Sequence, residues 1–174
     1  MKRIDLTMLH NGVTGLSPRY GGFLWEGAAV CFKENGHNSD VRLSGEGHFP
    51  HTYEIACGPL HPDAGGSFGD LQEATEFGAM GIALAVISSE TGLRARRSHK
   101  GTGFDFWLGT DDGGLAFNNK ARLEVSGILK EKTNEAPARL QEKLHQTARS
   151  SNIGLPAYAA VVEFGIPKIL IGQR

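Results

Sequence analysis

The fold is decided by two short stretches, Thr102-Gly103-Phe104-Asp105-Phe106-Trp107-Leu108 and Ala121-Arg122-Leu123-Glu124-Val125-Ser126-Gly127-Ile128. Each stretch carries one carboxylate among apolar residues. Because successive side chains of a strand point to opposite faces, Asp105 and Glu124 each stand on the face opposite their apolar neighbours. The linker 109–115 is rich in turn residues, which favours a hairpin with both acids on one side of the sheet. Two carboxylates in this arrangement suit a hard divalent cation.

The length of 174 residues and the hydrophobic fraction of 40% fit one compact domain with a real core. A Gly- and Pro-rich run at 58–66 is the predicted boundary inside it. Before the boundary, residues 1–65 are expected to add an N-terminal helix and a hairpin. After it, residues 66–174 are expected to form the core. In the N-terminal part, Ser17-Pro18 predicts the start of a helix over 20–35, and alternation at 41–43 and 52–57 predicts the hairpin.

The core segments predict, in order, a helix, three strands, a helix and a strand. Asp70 and Asn134 are the expected N-caps of the two helices. The last strand is an apolar run and is expected to be buried and parallel to its neighbour. Besides the two acid strands, the predicted bounds are 71–91 and 135–149 for the helices and 93–99 and 157–164 for the strands. The fold class is therefore α/β, an α-β-β-β-α-β unit around a mixed central sheet.

The first core helix carries two stripes at the helical period of 3.6 residues. One is made of small residues that would allow a neighbouring backbone to approach closely: Ala74, Gly78, Gly81 and Ala85. The other places Glu76 in line with Met80. Because the helix is nearly apolar beyond Glu76, this acid is expected to need a partner. The alternative is that Glu76 is an ordinary surface acid.

The localisation predicted from the sequence is cytoplasmic, with no membrane contact. A secretory signal needs an uninterrupted apolar stretch near the start of the chain, but charged residues occur repeatedly among the first six positions. The best apolar run, Ala79 to Ile87, is far shorter than the roughly 20 residues that span a bilayer. Cys31 and Cys57 are accordingly expected to be reduced thiols.

The formal net charge of −1 argues against a sequence-blind nucleic-acid coat. Residues 93–149, however, hold 11 Lys or Arg against 7 Asp or Glu, which could attract a polyanion. The alternative is that these basic side chains only solvate strand and helix faces. The candidate nucleic-acid-binding residues are Arg94, Arg96, Arg97, Lys100, Lys120 and Arg122.

The element order, together with Glu76, Asp105 and Glu124-Val125-Ser126, resembles the PD-(D/E)XK nuclease superfamily over roughly residues 70–165. The resemblance implies a restriction-endonuclease-like fold and metal-dependent hydrolysis of DNA. It also implies a role in defence against viruses, in repair or in a mobile element. The expected partners are DNA and either other protein subunits or a second copy of the chain.

The resemblance also implies roles for individual residues. Asp105 and Glu124 would be ligands of Mg²⁺, or of Mn²⁺, and Glu76 would assist as a third carboxylate. Ser126 stands where the superfamily usually has a Lys, and a hydroxyl cannot supply that positive charge. In some members the Lys is relocated to the following helix, and Lys143 is the matching candidate here.

Three alternatives stay open. Glu124 could form an ordinary cross-strand ion pair with Arg122 or Arg96. The chain could be an inactive nuclease-fold subunit that serves as a nucleic-acid- or protein-binding module. It could instead be a small zinc-supported binding protein, because thiols and imidazoles are the ligands that zinc favours. The residues of that third reading are Cys31, His37, His48, His51, Cys57 and His61.

Overall fold

The structure, a computed structural model, describes residues 1–12, 14–111 and 116–174. Of the linker predicted as a turn between the two acid strands, residues 112–115 lie outside the described residues, and the prediction is wrong for 109–111, which belong to a strand. The α-helices are α1 (Pro18–Glu34), α2 (Ala64–Ser67), α3 (Leu71–Thr91) and α4 (Ala136–Thr147). The strands are β1 (Lys2–Asp5), β2 (Asp40–Gly47), β3 (Thr52–Ala56), β4 (Arg94–Arg97), β5 (Phe106–Asp111), β6 (Phe117–Ile128), β7 (Ala157–Glu163) and β8 (Lys168–Gln173).

All these strands belong to one mixed sheet in the order β1-β3-β2-β8-β7-β6-β5-β4. The parallel pairs are β1 with β3, β2 with β8 and β6 with β7, and the other neighbours are antiparallel. The α/β class with a mixed sheet is thus confirmed, as are the predicted hairpin of β2 and β3 and the parallel β7. The strands of the N-terminal segment continue the sheet of the core.

From α3 to β7 the main elements follow the expected order of helix, three strands, helix and strand. A 3-10 helix (Ala148–Ile153) follows α4 directly, and another (Leu6–Asn11) follows β1. The two outermost segments of the chain, β1 and β8, form strands that the sequence patterns did not predict. β8 lies between β2 and β7 and so joins the N-terminal hairpin to the core.

Helices α1 and α3 pack against each other through glycines, as the small-residue stripe predicted. A Cβ on Gly78 would lie 2.7 Å from the backbone nitrogen of Ala28, and a Cβ on Gly81 would lie 2.9 Å from the carbonyl oxygen of Leu24. Only hydrogen fits at these two positions. The close contact buries α3 between α1 and the sheet, while α4 packs on β6, β7 and β8.

Within the described residues, no helix combines the length and the hydropathy needed to cross a membrane.

The predicted helix starts at Ser17 and Asp70 are confirmed, because their side chains accept hydrogen bonds from Tyr20 and Gln72. The N-cap predicted for α4 is wrong. Asn134 is exposed, Glu135 occupies the cap position, and the Ala136 N–H is bonded instead by the Glu131 carboxylate at 2.6 Å. Since Glu131 also pairs with Lys168 at 2.7 Å, the start of α4 is tied to β8.

Candidate active site

One pocket of about 320 Å³ contains all the residues for which the sequence predicted catalytic or metal-binding roles. It lies where α3, α4, β6 and the residue just before β5 meet. Glu76 comes from α3, Glu124 and Ser126 from β6, Lys143 from α4, and Asp105 from the end of the loop that leads into β5. The other lining residues are Gln72, Met80, Val125, Gly127 and Arg139.

Glu124 is the innermost acid of the pocket and is only 4% exposed. Its Oε1 accepts a hydrogen bond from Lys143 Nζ at 2.8 Å and another from Gln146 Nε2 at 2.9 Å. The Gln146 side-chain oxygen in turn accepts from Lys143 Nζ at 3.2 Å. These three side chains form a closed triangle between β6 and α4, so that each fixes the position of the other two. The ion-pair alternatives for Glu124, Arg122 and Arg96, are not its partners.

Asp105 is held by two neighbouring strands. Its Oδ2 accepts from the backbone N–H of Val125 at 3.0 Å, and its Oδ1 accepts from Arg97 Nη1 at 2.9 Å. The contact with Val125 places the carboxylate next to β6, one residue from Glu124. Asp105 is thus fixed beside Glu124 although it lies just outside the regular part of β5.

The surroundings of Glu124 shift its pKa upward. Burial of the carboxyl is the main cause, and the charge of Asp105 adds to it. The Lys143 ammonium and the Gln146 amide act in the opposite direction but do not cancel the shift. Two carboxylates thus lie close together here, and each is paired with a cationic side chain of the protein, Arg97 with Asp105 and Lys143 with Glu124.

The donor chemistry fits a magnesium ion held by two carboxylates. Glu76 is exposed in the pocket wall, and the described residues contain no group of three or more His, Cys, Asp or Glu side chains placed to hold a metal. Glu76 therefore does not complete a three-ligand group in this geometry. It is exposed although Met80 and Ala83, which follow it on the same stripe of α3, are buried. Mg²⁺ commonly takes only one or two protein carboxylates and completes its shell with waters and substrate phosphate. Asp105 and Glu124 meet that smaller requirement.

Arg122 does not serve the predicted phosphate contact. It is 4% exposed, and its Nη1 donates to the carbonyl oxygens of Thr147 and Ser150 at 3.1 and 2.6 Å. Its Nη2 donates to the carbonyl oxygen of Leu155 at 2.7 Å. The guanidinium thus satisfies backbone acceptors that follow the end of α4. The prediction failed because the face of β6 that carries Arg122 is covered by that segment.

The other predicted basic residues lie on or near the surface. Arg94 and Arg96 both pair with Asp111, and the Arg96 guanidinium also lies 4.5 Å from the ring centre of Phe117. Arg97 pairs with Asp105. Lys100 and Lys120 are exposed. Of this set, Arg97 and Lys100 line a second pocket next to the first.

The cysteines and histidines considered for zinc lie apart in the described residues. Both thiols are buried, and burial raises the pKa of Cys31 and of Cys57 to about 12. The His37 ring contacts the carbonyl oxygens of Phe164 and Gly165, and the His51 ring contacts the Glu90 carboxylate. The thiols therefore behave as small core residues and the imidazoles as local hydrogen-bonding groups.

Two residues of the site were not predicted from the sequence, Gln146 and Arg139. Gln146 follows Lys143 at the i+3 spacing that places two residues on the same helix face, and that spacing is the signal that would have found it. Arg139 lines the pocket and donates to the carbonyl oxygen of Gly127 at 3.0 Å. Both lie on α4, so this helix supplies a large share of the polar groups.

No protein-family model, curated protein or solved structure matches this chain.

Proposed function

We propose that the protein is a magnesium-dependent nuclease that hydrolyses phosphodiester bonds in DNA. The single observation that carries the proposal is the convergence of Asp105, Glu124 and Lys143 on one pocket, from a loop, a strand and a helix that are distant in sequence. The order of the elements from α3 to β7 supports a restriction-endonuclease-like topology and a place in the PD-(D/E)XK superfamily. Mn²⁺ is a second cation that the same oxygen ligands accept.

Asp105 and Glu124 would hold the cation. When bound, Mg²⁺ supplies charge neutralisation at the phosphate and lowers the pKa of an attacking water. The chain's own contribution is orientation: the Val125 N–H and Arg97 fix Asp105, while Lys143 and Gln146 fix Glu124. Preorganised groups of this kind need little rearrangement as the reaction proceeds.

Lys143 takes the role for which the superfamily usually has a Lys at the position of Ser126. An ammonium group has three N–H donors. Two of them are directed at Glu124 and Gln146, at 2.8 and 3.2 Å, which leaves one for a phosphate oxygen or the nucleophilic water. Ser126 lines the same pocket, so the charge enters the same space from α4 instead of from β6.

A binding module without catalysis is the second candidate. The observation that favours it is the ion pair of Lys143 with Glu124 at 2.8 Å, together with the absence of a three-ligand metal group among the described residues. In this case Lys143 would neutralise Glu124 permanently, and the pocket would bind neither a cation nor an attacking water molecule. The two candidates differ in whether the carboxylates bind metal.

The test is titration calorimetry with Mg²⁺ and Mn²⁺ on the wild type and on Asp105→Asn and Glu124→Gln, followed by cleavage assays on single- and double-stranded DNA. The matched control is Glu142→Gln, which removes the same charge from an exposed position of α4. We expect the two site variants to lose metal binding and cleavage together while the control keeps both. A folded wild type that binds neither metal would refute the nuclease proposal and favour the module.

A further inference from the structure

A second pocket, of about 350 Å³, adjoins the first and shares the Asp105–Glu124 pair with it. Its outer wall is the loop that joins β4 to β5. The acid pair therefore stands between two openings. A chain-like ligand that crosses the pair would place successive units in both.

The outer wall carries one ammonium group, that of Lys100, that no carboxylate of the described residues neutralises. Lys100 and His99 line this pocket, are exposed, and have no ion-pair partner within the described part of the chain. Arg97 also lines it but is engaged by Asp105 at 2.9 Å. Ser98 and Thr102 line it too, but their hydroxyls are bonded to each other at 2.7 Å. Ammonium and imidazole groups are side chains that contact phosphate oxygens.

The loop is held in shape by its own hydrogen bonds. Thr102 Oγ1 lies 2.7 Å from Ser98 Oγ and 3.0 Å from the carbonyl oxygens of His99 and Phe104. Gly103 has a φ of +81°, a backbone conformation that side chains other than hydrogen disfavour. These bonds fix the backbone that carries His99 and Lys100, which reduces the cost of ordering the loop on binding.

We propose that this pocket binds a phosphate group of the substrate strand next to the one that is cleaved, with the Lys100 ammonium as its charged contact and the His99 imidazole as a hydrogen-bonding contact. This inference rests on the nuclease function proposed above, since it makes the acid pair the point of reaction and the basic loop the neighbouring subsite. The pocket volume is at the lower end of small-molecule sites, which suits one unpaired nucleotide. The substrate class is accordingly a single strand, or a strand end, with a phosphate on both sides of one nucleotide.

The test uses thymidine dinucleotides with no terminal phosphate, with a 5′-phosphate and with a 3′-phosphate. Binding is measured by calorimetry on the full-length double variant Asp105→Asn/Glu124→Gln, alone and combined with Lys100→Ala or with the control Lys132→Ala. Lys132 is an exposed lysine outside both pockets. The double variant has no carboxylate charge at positions 105 and 124 to repel the phosphates, and it does not cleave the dinucleotides. The result therefore does not depend on metal or on catalysis. Circular dichroism and thermal unfolding show whether each variant is folded.

We expect one terminal phosphate to tighten binding about tenfold, and Lys100→Ala to abolish that gain while Lys132→Ala keeps it. Equal affinity for the three dinucleotides, or a gain that survives Lys100→Ala, would overturn the proposal. Should the gain be observed while the wild type binds no metal, the subsite stands and the proposed nuclease function fails. Should the wild type cleave DNA without the gain, the function stands and the subsite fails.

Discussion

Replacing Lys143 by Met tests whether the pocket is catalytic, as the proposed nuclease function requires, or inert. Met keeps most of the side-chain volume and removes the ammonium, together with its contacts to Glu124 and Gln146 at 2.8 and 3.2 Å. The loss of one preorganised donor at a developing charge typically costs about 2.7–4 kcal/mol, or a factor of about 100 to 1000 in kcat. We therefore expect cleavage to fall by that factor. Metal binding at pH 8 should persist, because Asp105 and Glu124 remain.

The same substitution has a second signature. The Lys143 ammonium lowers the pKa of Glu124, so its removal lets that pKa rise further. Protons and metal compete for the carboxylate, and metal binding in Lys143→Met should then weaken at a higher pH than in the wild type. Calorimetric titration with Mg²⁺ from pH 8 to pH 5 measures this shift.

A compensating change tests whether charge in the pocket is what matters. Ser126 and Lys143 line the same space, so Ser126→Lys in the Lys143→Met background returns an ammonium from the strand side. We expect this double variant to recover at least a tenth of the lost kcat, while Lys132→Ala serves as the control for removing one lysine. The reasoning is refuted if Lys143→Met cleaves DNA at the wild-type rate while remaining folded.

Three further predictions concern stability, each read by chemical denaturation. Because burial and a neighbouring carboxylate raise the pKa of Glu124, its contribution to stability is fully present below the ordinary pKa and is lost as pH rises through the raised value. The stability of the wild type relative to Glu124→Gln should therefore fall as the pH is raised above the ordinary pKa of a glutamate. Gly78→Ala, whose Cβ would lie 2.7 Å from the Ala28 nitrogen, should cost about 1–3 kcal/mol, whereas Gly69→Ala, with nothing within 4 Å, should change little. Arg122→Met should cost at least about 2 kcal/mol by leaving buried carbonyls unpaired, and an unchanged midpoint would contradict its structural role.

The acid pair could be predicted from sequence because the two acid segments pair as neighbours in the chain. Glu124 lies in β6 and Asp105 directly precedes β5, its antiparallel partner, while the position of α4 after β6 brought Lys143 within reach. Both are local patterns followed by one chain reversal. Such patterns leave few alternatives, and the pocket that contains these three residues is consistent with them.

The partners of these residues could not be predicted in the same way. Arg97 was expected to bind nucleic acid but pairs with Asp105, and Arg122 was expected on a free surface but lies under the segment after α4. A basic side chain reads the same in sequence whether its partner is a phosphate, a carboxylate or a backbone carbonyl. The choice is made by which face another element covers, and that depends on contacts between distant segments.

The start of α4 and the existence of β8 could not be predicted for the same reason, because both depend on distant segments. Asn134 has the composition of an N-cap, but Glu131 reaches the first free N–H of α4 because its own position is fixed by Lys168 on β8. Strand β8 itself was not predicted. Its pairing with β2 and β7 is determined by partners far away in the chain, and a short apolar segment alone does not specify them.

The central place of β8 has a consequence for biosynthesis. Of the eight strands it is translated last, yet it is the strand that pairs β2 with the rest of the sheet through β7. Until β8 has been translated, the N-terminal hairpin therefore keeps the edge of β2 unpaired, and the segment from α3 to β7 keeps the edge of β7 unpaired. Continuous hydrogen bonding across the sheet can form only after residue 173 has left the exit tunnel. Pairing across the middle of the sheet thus depends on the translation of β8, and before it the unfinished chain exposes two strand edges, β2 and β7, that the complete sheet covers.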